Sequence, residues 1–165
     1  MRRLAGPADE AAVHRIYAHP AVVPFLTFET LSADAFAPVY ADLLSGGDFW
    51  VYERDGAIVG FYRAARLPGR ASHVVHLGPL AVDPDRHGEG LGQAMIGEAL
   101  KHLEAEGALR IELMAEADNV RGLGFYRKLG FEIEGVQRLA YKRAADTDYM
   151  DEVLMVQFLG ELRGR

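Results

Sequence analysis

The feature that most restricts this chain is the stretch from Leu80 to Leu103. An apolar run ends at Leu80-Ala81-Val82, Asp83-Pro84 stops it, and His87-Gly88-Glu89-Gly90-Leu91-Gly92 follows. Apolar residues then recur at 91, 95, 96, 99, 100 and 103, which is helical spacing. The pattern reads as strand, glycine turn, helix. Glycines at 88, 90 and 92 let the backbone turn where a side chain would resist. The first N–H groups of the next helix lack partners inside it. With the helix dipole they make a place for a phosphate or pyrophosphate.

Two familiar phosphate loops are excluded by spacing. No Gly-x-x-x-x-Gly-Lys-Ser/Thr string exists, and the glycines do not fit Gly-x-Gly-x-x-Gly. Glu112 stands where a ribose-binding acid would be expected, but without the matching loop it carries nothing. The bland alternative is a glycine-rich turn with no ligand. Three alternating glycines at a strand-to-helix junction argue against it.

The remaining punctuation predicts alternating elements. A short helix over 10–18 stops at His19-Pro20, and Ser32 caps a second helix ending near Ser45. Strands over 49–53 and 58–64 meet at Asp55-Gly56, a hairpin signal. A central strand is expected over 72–82, then the helix 91–103, a strand 109–114 and a helix 120–129 closed by Gly130. Strands 131–140 and 150–159 form a last antiparallel pair. The expected fold is a single α/β (α+β) domain over 1–165 with a mixed sheet. The formal charge of −6 gives no basic face for nucleic acid or anionic lipid. The absence of cysteine excludes disulfides, thiolate metal sites and a cysteine acyl-enzyme. No secretory h-region or 18-residue apolar run is seen, so a soluble cytoplasmic protein without membrane partners is expected.

Here the residues resemble a known family. Val82-Asp83-Pro84 followed by His87-Gly88-Glu89-Gly90-Leu91-Gly92 resembles the acyl-CoA loop of the GNAT superfamily of N-acyltransferases, Arg/Gln-x-x-Gly-x-Gly/Ala. His87 replaces the usual Arg or Gln. A second motif, Asn119, Gly122, Tyr126, Lys128, Gly130 and Phe131, resembles the family's Asn-x-x-Ala-x-x-x-Tyr-x-Lys-x-Gly-Phe, with glycine at the Ala position. The tail around Tyr149-Met150-Asp151-Glu152 is similar to bacterial members that acetylate amino acids and small amines.

The resemblance implies a mostly antiparallel mixed sheet, helices on both faces, and a splayed central strand pair. It implies acetyl-CoA as co-substrate, with no metal. The pyrophosphate would lie on residues His87, Gly88, Glu89, Gly90, Leu91 and Gly92. The pantetheine would follow the backbone of Leu80, Ala81 and Val82, in a wedge against the strand over 109–114. Tyr126 would contact the cofactor and protonate the departing thiolate. Packing alone also explains a helix aromatic. Asn119 would cap its helix and contact the cofactor, though capping needs no function.

His76, in the central strand, is a candidate base; a lone strand histidine is more often structural. Phe25, Phe28 and Glu29 are candidate acceptor-binding residues, and the phenylalanines equally suit helix packing. The acidic cluster Asp146, Asp148, Asp151 and Glu152 reads as a solvated turn, or as an attraction for a cationic amine. The expected activity is acetyl transfer to a small-molecule primary amine in a ternary complex. Alternatives are a protein N-terminus or an antibiotic amine as acceptor, or a non-catalytic acyl-CoA-sensing module. A homodimer through the terminal strands is implied by the resemblance alone.

Overall fold

The structure, a computed structural model, describes residues 1–164. Its strands are β1 (Arg2–Leu4), β2 (Phe49–Arg54), β3 (Ala57–Arg66), β4 (Val74–Val82), β5 (Arg110–Glu116), β6 (Glu132–Tyr141) and β7 (Met150–Phe158). Its helices are α1 (Glu10–Tyr17), α2 (Ala33–Ser45), α3 (Leu91–Ala105) and α4 (Val120–Lys128). The seven strands are ordered β1-β2-β3-β4-β5-β7-β6. β4 and β5 run parallel, while β1–β2, β2–β3, β5–β7 and β6–β7 are antiparallel. This is the mixed, mostly antiparallel α/β architecture expected.

Local chemistry explains the boundaries. Asp55 and Gly56 have φ of +54° and +76°, the two left-handed positions of the primed turn that matches strand twist. Ser32 caps α2 by accepting from the Ala35 N–H at 3.3 Å. At the end of α4, Gly130 has φ +94°. The Phe131 N–H bonds the Tyr126 carbonyl at 3.0 Å, and the Gly130 N–H bonds the Arg127 carbonyl at 3.0 Å. That pair of bonds is a Schellman closure.

The chain forms two compact units. The first holds Met1–Ala65 and Leu77–Ala99. Its core joins Val13, Ile16 and Tyr17 of α1 and Phe36 and Tyr40 of α2 to Phe49, Val51 and Phe61 of the β2–β3 hairpin. The β2–β3 register steps from Tyr52↔Gly60 to Glu53↔Ile58, so Val59 is an extra residue. The bulge brings Ile58 into the same core as Phe61. On the other face, Gly60 lets α3 approach: a Cβ there would lie 2.9 Å from Met95 Sδ and 3.0 Å from the Ala81 carbonyl.

The second unit holds Arg66–His76 and the chain from Leu100 onward. Its parallel register covers Val74↔Arg110, Val75↔Ile111 and His76↔Glu112. β7 lies between β5 and β6, and pairs with β5 from Arg110↔Phe158 to Glu116↔Glu152.

The structure departs from the sequence reading at β1 and at several element ends, β3 running to Arg66 and α3 to Ala105, each two residues past the expected end. β1 was not expected; three residues are too few to display a period. β4 begins at Val74 rather than Ser72, because Gly69–Ala71 forms a 3-10 turn whose cap is Ser72. β5 runs two residues past the expected Met114, to Glu116.

Candidate active site

The glycine loop lies in the first unit. Asp83 is 4% exposed and anchors the turn that precedes it. Its Oδ1 accepts from the Asp85 N–H at 3.1 Å, and its Oδ2 lies 2.8 Å from Arg15 Nη1. Its own N–H donates to the Val59 carbonyl at 2.9 Å, tying the end of β4 to β3. Beyond this anchor, residues 87–90 are exposed, and Gly88 and Gly90 have φ of +93° and +72°. A Cβ at either would meet nothing within 4 Å. These glycines are therefore set by backbone conformation, not by crowding.

The Gly90 carbonyl accepts from the Ala94 N–H at 3.0 Å, which starts α3. α3 spans 15 residues, long enough to present a full helix N-terminus to an anion. Glu89 is a negative charge in that loop. Arg86 balances it with contacts of 2.6 and 3.0 Å, and also reaches Asp55 Oδ2 at 3.3 Å. The hydrogen bonds from Arg86 hold the Glu89 carboxyl below its ordinary range. Exposed backbone at a helix start, with its one acid neutralised, fits a pyrophosphate. Leu91 and Ala81 turn their side chains into the core, so only their backbone is available to a cofactor. Leu80, Val82 and Gly92 are partly exposed.

Phe25, Phe28 and Glu29 also belong to this unit, in the segment joining α1 to α2. Phe25 and Phe28 are 40% and 45% exposed, so part of each ring faces solvent. The segment is tied at its far end, where His14 Nε2 lies 2.8 Å from the Leu31 carbonyl; at its near end His19 Nε2 is 3.8 Å from Asp85 Oδ1, beyond hydrogen-bond distance.

The second unit carries His76, Asn119 and Tyr126. His76 Nδ1 lies 3.9 Å from Glu112 Oε1, too far for a hydrogen bond. Glu112 is already balanced by Arg110, 3.2 Å from its other oxygen, and Arg110 also pairs with Glu134. Tyr126 sits on α4, edge-on to Phe131 with ring centres 6.0 Å apart. Burial pushes its phenol well above the ordinary value, and the Glu116 carboxylate adds to the rise. The hydroxyl therefore keeps its proton across the working pH range and can act as a donor.

Asn119 does two things. Its Oδ1 accepts from the Gly122 N–H at 2.8 Å, capping α4, and its amide donates toward the Glu116 carboxylate. A Cβ at Gly122 would lie 2.5 Å from Asn119 Nδ2. The glycine at this motif position leaves room for the Asn119 side chain.

Two groups here were not singled out from sequence. Glu116 ends β5, and burial raises its carboxyl above the usual range, with Glu152 adding to the rise. Arg143, in the β6–β7 connection, donates to Asp118 at 2.8 and 3.0 Å and to the Tyr141 hydroxyl at 2.9 Å, and lies 3.6 Å from Asp146 Oδ2. The alternation of polar 110, 112 and 116 with apolar 111, 113 and 115 marks Glu116 as sharing a face with Glu112. Nothing in the sequence shows which later residue it meets.

Residues 11–131 match the Acetyltransferase (GNAT) family. The chain belongs to this family. Among curated relatives, the mycothiol acetyltransferase of Tsukamurella paurometabola is 32% identical over 149 residues, covering 86% of this chain and 50% of that protein. The mycothiol acetyltransferase of Saccharomonospora viridis is 37% identical over 93 residues, 52% of this chain and 30% of that protein. The chain thus spans half or less of the length of these relatives. Among solved structures, a phosphinothricin acetyltransferase of Sinorhizobium meliloti in complex with AcCoA superposes with a TM-score of 0.77 at 22% identity, covering 98% of this chain and 89% of that one. Among the described residues no helix is long and apolar enough to cross a membrane, and no group of three or more His, Asp or Glu could hold a metal ion.

Proposed function

We propose that residues 1–165 act as one N-acetyltransferase domain that moves acetyl from acetyl-CoA to the primary amine of a small molecule, by direct attack in a ternary complex. The observation that carries this reading is the exposed Gly88–Gly90 turn at the start of α3, on a family motif, with its acid neutralised by Arg86. In this reading the amides of residues 88–92 hold the pyrophosphate, and His87 adds a side-chain donor. The backbone of Leu80–Val82 takes the pantetheine, and an N–H there stabilises the oxyanion. Tyr126 donates its proton to the departing thiolate, and Asn119 supports it from the cap of α4. The exposed Phe25 and Phe28, with Glu29, receive the acceptor. The curated relatives' names favour a small-molecule acceptor over a protein one. A cysteine-free chain suits a reducing compartment, and a cytoplasmic location goes with this reading.

The test is thiol release from acetyl-CoA across amino acids, aminothiols, polyamines, aminoglycosides and short peptides. The chain has no thiol of its own to raise the background. Release with one small-amine class is the expected result. Release with peptides alone would replace the acceptor class. Tight acetyl-CoA binding without release for any amine would favour a sensing module.

A further inference from the structure

The first unit holds a buried charge whose partner comes from a different element. Asp83 is buried, and a buried carboxylate needs both a counter-charge and hydrogen bonds. The counter-charge is Arg15 of α1, whose Nη1 lies 2.8 Å from Asp83 Oδ2. The Arg15 side chain is half exposed, so its own solvation does not depend on the pair, whereas that of Asp83 does. The same guanidinium donates through Nη2 to the Ile58 carbonyl at 3.3 Å. The next carbonyl along β3, that of Val59, accepts from the Asp83 N–H at 2.9 Å. Val59 is the extra residue of the β2–β3 bulge, and bulges re-aim the chain beside functional sites. Two successive carbonyls at one bulge therefore hold the two partners of one ion pair. The other oxygen of Asp83 accepts from the Asp85 N–H at 3.1 Å and caps the 3-10 turn Pro84–Arg86. That turn leads straight into the loop: the His87 N–H donates to the Pro84 carbonyl at 3.2 Å, and residues 87–90 are exposed. His19, beyond the end of α1, stands 3.8 Å from Asp85 Oδ1, too far to fix the turn in the same way.

We propose that Arg15 is a positioning residue for the cofactor: it fixes the Asp83 carboxylate, and through it the direction in which the backbone of residues 87–90 meets a pyrophosphate. This rests on the cofactor-loop reading above. The effect has two parts. The first is geometric. Hydrogen bonds weaken steeply as they lose alignment, so a tilt of the capped turn weakens several loop donors at once. The second is electrostatic. Without Arg15, Asp83 becomes an unbalanced negative charge a few residues from a bound anion, in a buried position where water screens it poorly. Both parts act on the phosphates and neither acts on the thioester. The loss on removing Arg15 is therefore confined to ligands that carry the pyrophosphate.

The test measures Kd on the full chain, by NMR amide-shift titration, for acetyl-CoA, for its 3′-dephospho form, which keeps the pyrophosphate, and for S-acetylpantetheine, which has none. Arg15→Gln keeps an amide donor but no charge. It weakens the first two ligands about tenfold or more, the usual effect of losing a charged hydrogen-bond partner, and leaves S-acetylpantetheine within about twofold. Arg15→Lys restores the charge but not the forked pair of donors. It shows a smaller loss of the same selectivity, about threefold, and carries the test where Arg15→Gln does not fold. Adding Asp83→Asn to Arg15→Gln recovers most of the affinity, because the buried charge that needed Arg15 is gone while an amide oxygen still accepts from the Asp85 N–H. A role in stability alone would weaken all ligands together. An equal loss for all three, or no loss for any, overturns the proposal. A wild-type chain that binds S-acetylpantetheine as tightly as acetyl-CoA, or binds neither, overturns the cofactor-loop reading instead.

Discussion

At the scale of single residues, Tyr126 and Asn119 make separable predictions. Tyr126 offers a hydroxyl that burial keeps protonated, and the role proposed for it is to deliver that proton to the departing thiolate. Tyr126→Phe keeps the ring, and with it the edge-on contact to Phe131. Turnover should fall by a factor of about 10²–10⁴, the usual worth of a positioned proton donor, while acetyl-CoA affinity stays near wild type. Thiol release and isothermal titration on the same variant check the two halves. Wild-type turnover in the variant removes Tyr126 as the acid. Asn119 works through structure. Asn119→Ala removes the acceptor of the Gly122 N–H and should cost about 1 kcal/mol. For a chain of this size that lowers the thermal midpoint by about 2–4 °C. The variant also strips Glu116 of a donor, so its carboxyl should titrate at higher pH than in the wild type.

At the scale of elements, what the sequence revealed depended on whether a local rule decided the outcome. The Asp55-Gly56 hairpin, the Ser32 cap, the Gly130 closure and the turn into α3 were all readable, because each is set by residues within a few positions of one another. β1 was invisible because its three residues gain their identity from Tyr52, Val51 and Trp50, far along the chain. The placement of Glu116 opposite Glu152 is illegible for the same reason: cross-strand register cannot be read from one strand. The surroundings of His76 are also non-local: the Arg110–Glu112–Glu134 network beside it forms only when β5 and β6 are in place.

The glycine loop is the element whose local logic gives the sharpest test. Gly90 needs φ +72° and has open space around its Cβ direction. Gly90→Ala should therefore cost only the left-handed penalty of about 1–2 kcal/mol. Gly90→Glu adds a carboxylate where the pyrophosphate is proposed to lie. It should abolish acetyl-CoA binding by calorimetry while leaving the far-ultraviolet circular dichroism unchanged. Undiminished affinity in that variant would remove the loop from the cofactor site.

For the molecule as a whole, the charge of −6 means that an anionic co-substrate gains nothing from the protein's long-range field. Affinity has to come from short-range donors at the helix start and from apolar contact along the cofactor. Both exist only in the folded chain, because the unfolded chain has neither an aligned helix dipole nor a formed turn. Binding then stabilises the fold by mass action. Acetyl-CoA at a hundred times its Kd should add about 2.7 kcal/mol. In a protein of this length that raises the thermal midpoint by about 5–11 °C. Differential scanning fluorimetry with and without acetyl-CoA measures the shift directly. Tyr126→Phe should show the full rise, because its lost hydroxyl acts on the leaving thiolate and not on the bound thioester. Gly90→Glu should show none. A rise in both variants would mean that the ligand is held elsewhere, and a rise in neither would make Tyr126 a binding residue rather than a proton donor.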